Sequence, residues 1–389
     1  MASEVAFVLI NPYTIRKSRT GGVLGRYLAR TDLKLVAAQL FGPSQALVDA
    51  YADYVEGAQL DDSGMAAVLA DYIRKNYAPD PVSGRPNRTV MLLFEGEDAV
   101  RKIREVTGSA RLLWGSGQTV RDTYGDFVQN ADGTIRYFEP AVLMGPSVEV
   151  VRETLRIWSS FVATDAGFVR GAHDLVEGEG VEQTLVMLKP DNFCIPSLRA
   201  GNILDVLSSA GLRMVCVKRF SMSVAQAEEF YGPVRESLRR NFPNFGVSRA
   251  AQALSREFGF PVDDDMVRPL CEKLASRFAE REFENIVEFM SGCRPTACDE
   301  ARKHAPGSSV CLAVVYEGVD AVRKIRDLLG ATDPSKARPG SVRREFGTSI
   351  MVNAAHASDS VENARREMKI IEVDVPEPFM SIVRRELNA

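Results

Sequence analysis

Two stretches of this chain are nearly identical. Phe94–Ser109 reads FEGEDAVRKIREVTGS and Tyr316–Ala331 reads YEGVDAVRKIRDLLGA, aligned without a gap. They share Glu95/Glu317, Gly96/Gly318, the whole DAVRKIR block and Gly108/Gly330. Helical periodicity alone would keep apolar positions alike, but not the charged ones as well. The same offset carries Val120-Arg121 onto Val342-Arg343. Upstream, FVLINPYT (Phe7–Thr14) parallels LVMLKPDN (Leu185–Asn192), each an apolar strand ending at X-Pro. Gly22…Leu33-Lys34-Leu35-Val36 likewise parallels Gly201…Leu212-Arg213-Met214-Val215, and AVLMGPSVE (Ala141–Glu149) parallels AAHASDSVE (Ala354–Glu362). Two copies of this size are domains, not the stacking units of a solenoid. The chain must therefore build one fold twice, over 1–160 and 182–371, with 161–181 as linker and 372–389 as tail.

A length of 389 residues fits two domains at roughly 150 residues each. Apolar content of 45% with 26% charged is ordinary globular composition. The net charge of −4 argues against nucleic-acid backbone or an anionic membrane as partner. The longest apolar runs, such as Val310–Tyr316, are strand-sized and too short to span a bilayer. Val5–Ile10 is also too short for a signal-peptide core. Six cysteines without a CxxC spacing suggest no zinc site, and point to reduced, mostly buried thiols in a cytoplasmic protein.

In the second copy the pattern predicts strands at Thr184–Leu188, Leu212–Phe220, Val310–Tyr316 and Thr348–Ala354. Helices are expected at Leu198–Ser209, Val224–Leu238, near Val267–Phe278, and at Phe283–Met290, Asp320–Leu329 and Asp359–Ile371. The last begins Asp359-Ser-Val-Glu362, a capping-box-like spacing. Two interleaved β-α-β units in a small domain suggest an α+β sandwich with an antiparallel sheet.

Of the three histidines, His173 falls in the linker and His304 in a polar stretch, both expected in solvent. His356 follows an apolar strand and directly precedes a helix N-terminus, a place that favours anions. A neutral imidazole is a nucleophile available near pH 7. Local sequence leaves two readings open: a phosphate-facing histidine, or one satisfied within a strand-to-helix turn. Lys189 ends a buried strand, and Arg326 and Arg343 flank a loop that carries Thr332. If these converged near His356 they would suit a triphosphate.

The second copy resembles the nucleoside diphosphate kinases. The resemblance rests on MLKPD (Met187–Asp191), EEFY (Glu228–Tyr231), FENIVEFMSG (Phe283–Gly292) and VVYEG (Val314–Gly318). It continues through LLGATDP (Leu328–Pro334), RPGSVRREF (Arg338–Phe346) and above all NAAHASDSVENARRE (Asn353–Glu367). It covers nearly all of 183–371 apart from insertions near 235–280 and 294–308, and 5–158 weakly. It implies two ferredoxin-like βαββαβ domains in tandem, paired as an intrachain pseudo-dimer, in a chain that forms a homo-oligomer. It also implies phosphoryl transfer from a nucleoside triphosphate to a nucleoside diphosphate through phosphorylated His356. Lys189 would contact the γ-phosphate, Arg326, Thr332 and Arg343 the phosphate oxygens, and Tyr231 would sit beside Lys189. Asn353 would bond the ribose and nearby backbone, Glu367 would orient the imidazole with Ser358 close by, and Mg²⁺ would ride on the phosphates.

Two departures from the family stand out. Its base-stacking aromatic is normally the first of a pair, where this chain has Glu282-Phe283, leaving Phe283 as the stacking candidate. The Gly after its catalytic His is here Ala357.

Aligned to the same motifs, the first copy has Leu143 at the His position, Asn11 at the Lys, Ala110 at the Thr and Pro140 at the Asn. Only Arg104 and Arg121 remain, so this copy is expected to be catalytically dead. It would serve as a structural partner or as a regulatory nucleotide site. For the whole chain, a non-catalytic nucleotide sensor or scaffold is the alternative reading, and a phosphohistidine relay a third.

Overall fold

Most of the strands carry apolar residues at consecutive positions, which requires cover on both faces. Val5–Ile10, Leu35–Phe41, Val90–Phe94, Leu185–Leu188 and Cys311–Tyr316 are buried throughout. The computed structural model describes residues 3–58, 63–110, 117–172 and 178–388; the expectation for His173 lies outside them. Its strands are β1 (Ser3–Ile10), β2 (Lys34–Phe41), β3 (Thr89–Glu97), β4 (Asp126–Gln129), β5 (Ile135–Glu139), β6 (Val142–Met144), β7 (Val181–Leu188), β8 (Arg213–Phe220), β9 (Cys311–Val319) and β10 (Ala355–Ala357). Eight of them form one antiparallel sheet ordered β10-β7-β9-β8-β2-β3-β1-β6, and β4 pairs with β5 separately. Read outward from the middle, each half places its sheet strands second, third, first, fourth. The strand order is thus the same in both halves of the sheet.

The chain divides into two compact units, 1–220 with 311–389, and 221–310. Both sheet halves therefore belong to the first unit. They meet where β2 runs antiparallel to β8, with Gln39 opposite Lys218, and Arg219 Nε donates to the Leu35 carbonyl at 3.1 Å. Behind this seam the helices Thr20–Arg30 and Arg199–Ser208 pack together. They approach so closely that a Cβ on Gly201 would stand 2.3 Å from the Gly21 carbonyl oxygen and 2.7 Å from Gly25 Cα. Gly201→Ala should therefore lower stability by about 1–3 kcal/mol through overpacking, outweighing the helical preference for alanine. Urea denaturation reads this directly; unchanged stability would mean the helices separate freely.

The linker and tail are integrated into this unit. Gly167 N donates to the Leu40 carbonyl at 3.0 Å, and Val169 N to the Val215 carbonyl at 2.9 Å. The tail is not loose: the helix Phe379–Asn388 buries Phe379 and Val383, and Phe379 meets Phe41 edge-on at 5.8 Å. Arg385 donates to Glu95 at 2.8 Å and Arg152 to Glu386 at 3.2 Å, so the C-terminus is pinned to the first half.

Three expectations in the second copy need correction. Thr348–Ala354 is a loop and the strand is only Ala355–Ala357, because Ala354 takes φ 70°, outside strand geometry. The final helix is capped by Ser360, which accepts from Asn363 N, one residue later than the Asp359 box. The three short helices expected between 224 and 290 are parts of two long ones, Val224–Phe258 and Asp264–Ser291. Pro233 and Pro243 lie inside the first without ending it.

The unit 221–310 is this helical hairpin. It is held by Val247, Ala251, Val267 and Cys271, with Phe242 and Phe278 stacked at 4.3 Å. The equivalent connection in the first half, Gln45–Gly57 and Ser63–Asn76, is much shorter. Cys216, Cys271 and Cys311 are buried, whereas Cys194 is exposed and Cys293 and Cys298 are half-buried, so "mostly buried" overstated the thiols. His304 is exposed, as expected. Among the described residues no helix is long and apolar enough to cross a membrane.

Candidate active site

His356 sits at the centre of β10, opposite Met187 of β7, and its ring is half-buried. Its Nε2 lies 2.8 Å from Glu367 Oε2, and the Ser358 hydroxyl donates to the same oxygen at 2.6 Å. A carboxylate oxygen can only accept, so the ring presents Nε2–H to Glu367 and keeps its lone pair on Nδ1. Glu367 and Ser358 are buried, which fixes the ring's tautomer and its tilt.

Lys189 follows β7, and its backbone N–H donates to the Ala354 carbonyl at 2.9 Å. Its ammonium donates to Asn353 Oδ1 at 2.7 Å and to the Met351 carbonyl at 3.1 Å. Burial, reinforced by the nearby Arg343 charge, lowers its pKa to about 8. Asn353 is engaged at both ends, since its Nδ2 donates to the carbonyls of Thr332 and Ile350 at 3.0 and 2.9 Å. Both amide hydrogens are therefore committed to the loop, and the ribose contact expected of Asn353 is not prepared in this conformation.

Arg343 donates to the carbonyls of Gly330 and Ala355 at 2.9 and 3.2 Å, tying the loop to β10. With exposed Arg326, exposed Thr332 and Ala357 it lines an open cleft. The cleft thus adjoins His356 through Ala357 and Lys189 through Asn353. Two positively charged guanidiniums and a hydroxyl on one wall, beside an imidazole with a lone pair, are chemistry for a phosphate chain.

Sequence reasoning missed Arg199, which braces this corner. It donates to Asn192 Oδ1 at 3.1 Å, to Asp191 at 2.8 Å and to the Phe346 carbonyl. Asn192 and Asp191 lie within eight residues of Arg199, but the Phe346 carbonyl is far away in the chain, and local spacing does not show that the three meet. The remaining two predicted residues lie in the hairpin unit. Tyr231 is buried on Val224–Phe258. Phe283 is buried on Asp264–Ser291 with the Arg235 guanidinium 3.9 Å from its ring centroid, so its face packs internally and does not offer itself for base stacking.

The first half repeats this backbone frame without the chemistry. Leu143 lies opposite Leu9 as His356 lies opposite Met187. Ala141 and Ala354 share the left-handed φ of 62° and 70°. Arg121 donates to the carbonyls of Gly108 and Val142 at 3.0 and 3.2 Å, mirroring Arg343 bond for bond. Where Lys189 would stand, Asn11 donates to Glu139 at 3.1 Å and accepts from Tyr77 at 2.6 Å, while Tyr72 donates to Glu139 at 2.7 Å. Asn11 and Glu139 are both buried, and burial raises the Glu139 pKa.

A histidine held by a buried carboxylate beside a cationic cleft at the edge of this sheet is what the geometry defines. The family model described as nucleoside diphosphate kinase matches residues 182–245 and 283–372, leaving out the middle of the long hairpin. The nucleoside diphosphate kinase of Wolinella succinogenes is 33% identical over 188 residues, which is 48% of this chain and 93% of that protein. That of Helicobacter pylori strain Shi470 is 33% identical over 187 residues, 48% of this chain and 92% of that protein. A solved NDP kinase structure from Pyrobaculum aerophilum is 25% identical, spans 50% of this chain and 99% of its own, and has a TM-score of 0.35. The chain belongs to the nucleoside diphosphate kinase family.

Proposed function

We propose that this chain is a nucleoside diphosphate kinase whose second half does the chemistry and whose first half is a structural copy. The observation that carries the reading is the His356–Glu367–Ser358 chain, with Nε2 anchored at 2.8 Å and the ring set beside the Arg326–Thr332–Arg343 cleft. In the first step His356 Nδ1 attacks the γ-phosphorus of a nucleoside triphosphate. The N–P bond forms as the bond to the β-bridging oxygen breaks, and the nucleoside diphosphate leaves with that electron pair. The ring becomes cationic, and Glu367 offsets the charge through Nε2–H. An acceptor diphosphate then attacks the same phosphorus and the N–P bond breaks. Lys189, Arg326 and Arg343 neutralise the migrating charge, so positioning and electrostatics supply most of the rate.

Mg²⁺ fits this site as a passenger on the phosphates. The cleft wall is cationic and suits the phosphates that would carry the ion. When bound it would screen the phosphate oxygens. Asn353, Ser358 and Arg199 position the other groups.

The two halves, 1–160 and 182–371, are read as duplicated domains forming a pseudo-dimer, from which further copies assemble into a homo-oligomer. The shared backbone frame and strand order support the duplication. The self-satisfied Asn11–Glu139–Tyr72–Tyr77 cluster supports the structural role for the first half over a regulatory nucleotide site. Six free cysteines fit a cytoplasmic setting.

The test is phosphoryl uptake from γ-labelled ATP with Mg²⁺. Acid-labile label that chases onto added GDP is expected. Label that forms but does not chase would indicate a relay protein, and no label on folded protein would leave the sensor or scaffold.

A further inference from the structure

We infer that the helical hairpin 221–310 carries a self-association surface: two copies of this chain pair along the helix Asp264–Ser291, antiparallel, about a two-fold axis at Leu270. The starting observation is an exposed apolar stripe. Among the described residues fourteen large apolar side chains are exposed, and six of them fall within Phe245–Leu274. Three of the six follow one another on a single helix. Met266, Leu270 and Leu274 are 68, 50 and 38% exposed and stand four residues apart. Side chains at that spacing share a face. The hairpin's own core does not use this face, because the helix buries a different row, Val267, Cys271 and Ala275. Phe258 and Phe260, stacked at 5.8 Å and more than half exposed, add apolar surface at the turn before the helix.

What covers the stripe follows from the charges at its two ends. Asp263, the N-cap residue, stands three residues before Met266, and Arg277 stands three residues after Leu274. The row Asp263, Met266, Leu270, Leu274, Arg277 is therefore spaced 3-4-4-3, the same in either direction, with an acid at one end and a base at the other. A second copy laid antiparallel, with Leu270 on the axis, sets Met266 against Leu274 and Asp263 against Arg277. Each pair is made twice, as an isologous contact requires. Parallel pairing in register would set acid on acid and base on base, so the charges select the antiparallel arrangement. Asp263 and Arg277 are both exposed, and neither has an ion-pair partner among the described residues. The stripe is thus complementary to itself, and the copy that fits it is another molecule of the same chain.

The surface belongs to the insertion and not to the repeated domain. Residues 246–282 are those the family model leaves unmatched. The corresponding helices of the first half, Gln45–Gly57 and Ser63–Asn76, expose no large apolar side chain among the described residues. From Asp263 to Arg277 the row is about 21 Å long at a helical rise of about 1.5 Å per residue. That is short for a specific interface, so a dissociation constant on the order of micromolar is expected.

The experiment is sedimentation equilibrium of the full chain across the micromolar range. It compares wild type, Leu270→Asp, Asp263→Arg, Arg277→Asp and an equimolar mixture of the last two. Leu270→Asp meets its own copy on the axis and should not pair, so wild type is expected to reach twice its mass. Asp263→Arg sets Arg against Arg at both ends of the contact, and Arg277→Asp sets Asp against Asp. Each alone should weaken the doubling roughly 10- to 100-fold. Mixed, the two variants regain both opposite-charge pairs, and the doubling should return to near the wild-type constant. Circular dichroism checks that each variant keeps its helices, and Leu270→Asp leaves the helix N-terminus untouched if Asp263→Arg does not. Wild type with the same mass as Leu270→Asp would overturn the contact, and this is the result expected if the stripe instead serves a different protein. Single charge variants that pair as well as wild type, or a folded mixture that does not recover, would overturn it too. The doubling needs neither nucleotide nor turnover, so failure of the kinase reading would leave it readable.

Discussion

His356→Ala is expected to remove phosphoryl uptake altogether and to lower steady-state transfer between nucleotides by roughly 10⁴-fold or more. The size follows from the chemistry. Without a nitrogen nucleophile the double displacement has no intermediate, and what remains is direct transfer between two nucleotides that share one cleft. The surrounding groups would still bind nucleotide, because Lys189 is held by Asn353 and Met351 and Arg343 by the carbonyls of Gly330 and Ala355. Nucleotide affinity should therefore change little while kcat collapses. Glu367→Gln provides the graded companion, since it keeps the ring's neighbour but removes the charge that offsets the phosphorylated imidazole. Retention of acid-labile label by His356→Ala would mean that another residue is the nucleophile.

The second large effect is expected at Lys189. Lys189→Ala should lower kcat/KM by roughly 10²–10³-fold, the usual scale for removing one charge aimed at a transition state. The pH dependence is more telling. With a folded-state pKa of about 8, wild-type Lys189 loses its charge above that pH in the free enzyme. Activity measured as kcat/KM should therefore decline on the alkaline side of about pH 8. Lys189→Arg keeps its charge through this range and should show no such decline, even if its peak activity is lower.

Stability should move in the opposite direction. Between about 8 and the ordinary lysine value, the unfolded chain binds a proton that the folded chain does not, so this group makes the fold more stable as pH rises. The cost of holding the charged form below pH 8 is about 3 kcal/mol. Lys189→Met should relieve it, giving a protein that is more stable at pH 7 and inactive. A Lys189→Met variant less stable than wild type would show that its bonds to Asn353 and Met351 outweigh the burial.

The site was largely legible because its key residues lie in short, ordered motifs. Asn353 to Glu367 contains the proposed nucleophile His356, the Glu367 carboxylate and the Ser358 hydroxyl, and one strand-turn-helix brings all three together. The cleft loop was legible for the same reason, being bounded by Arg326 and Arg343 on neighbouring short helices. What could not be read was set by contacts between distant segments. Thr348–Ala354 alternates like a strand, yet Asn353 and Ala354 are held in a loop by Lys189 and Thr332, which lie far away in sequence. Residues 372–389 looked like a tail because two prolines precede a short amphipathic helix, whose apolar side finds Phe41 of the first half. The helix expected at Val224–Leu238 runs on through Pro243 to Phe258. Phe283 was chosen from its motif position, where only the neighbouring Arg235 shows that its ring is already covered.

The β2–β8 seam has one further consequence. Two separate chains joined along such an edge would part on dilution, with a population set by their dissociation constant. Here a single polypeptide crosses the seam, so its two sides see each other at an effective concentration on the order of millimolar at any protein concentration. Each side also meets only its own partner, never a second copy of itself. Symmetry is then no longer enforced, and a residue on one face need suit only the one residue opposite. That freedom lets Asn11 and Leu143 stand on one side where Lys189 and His356 stand on the other.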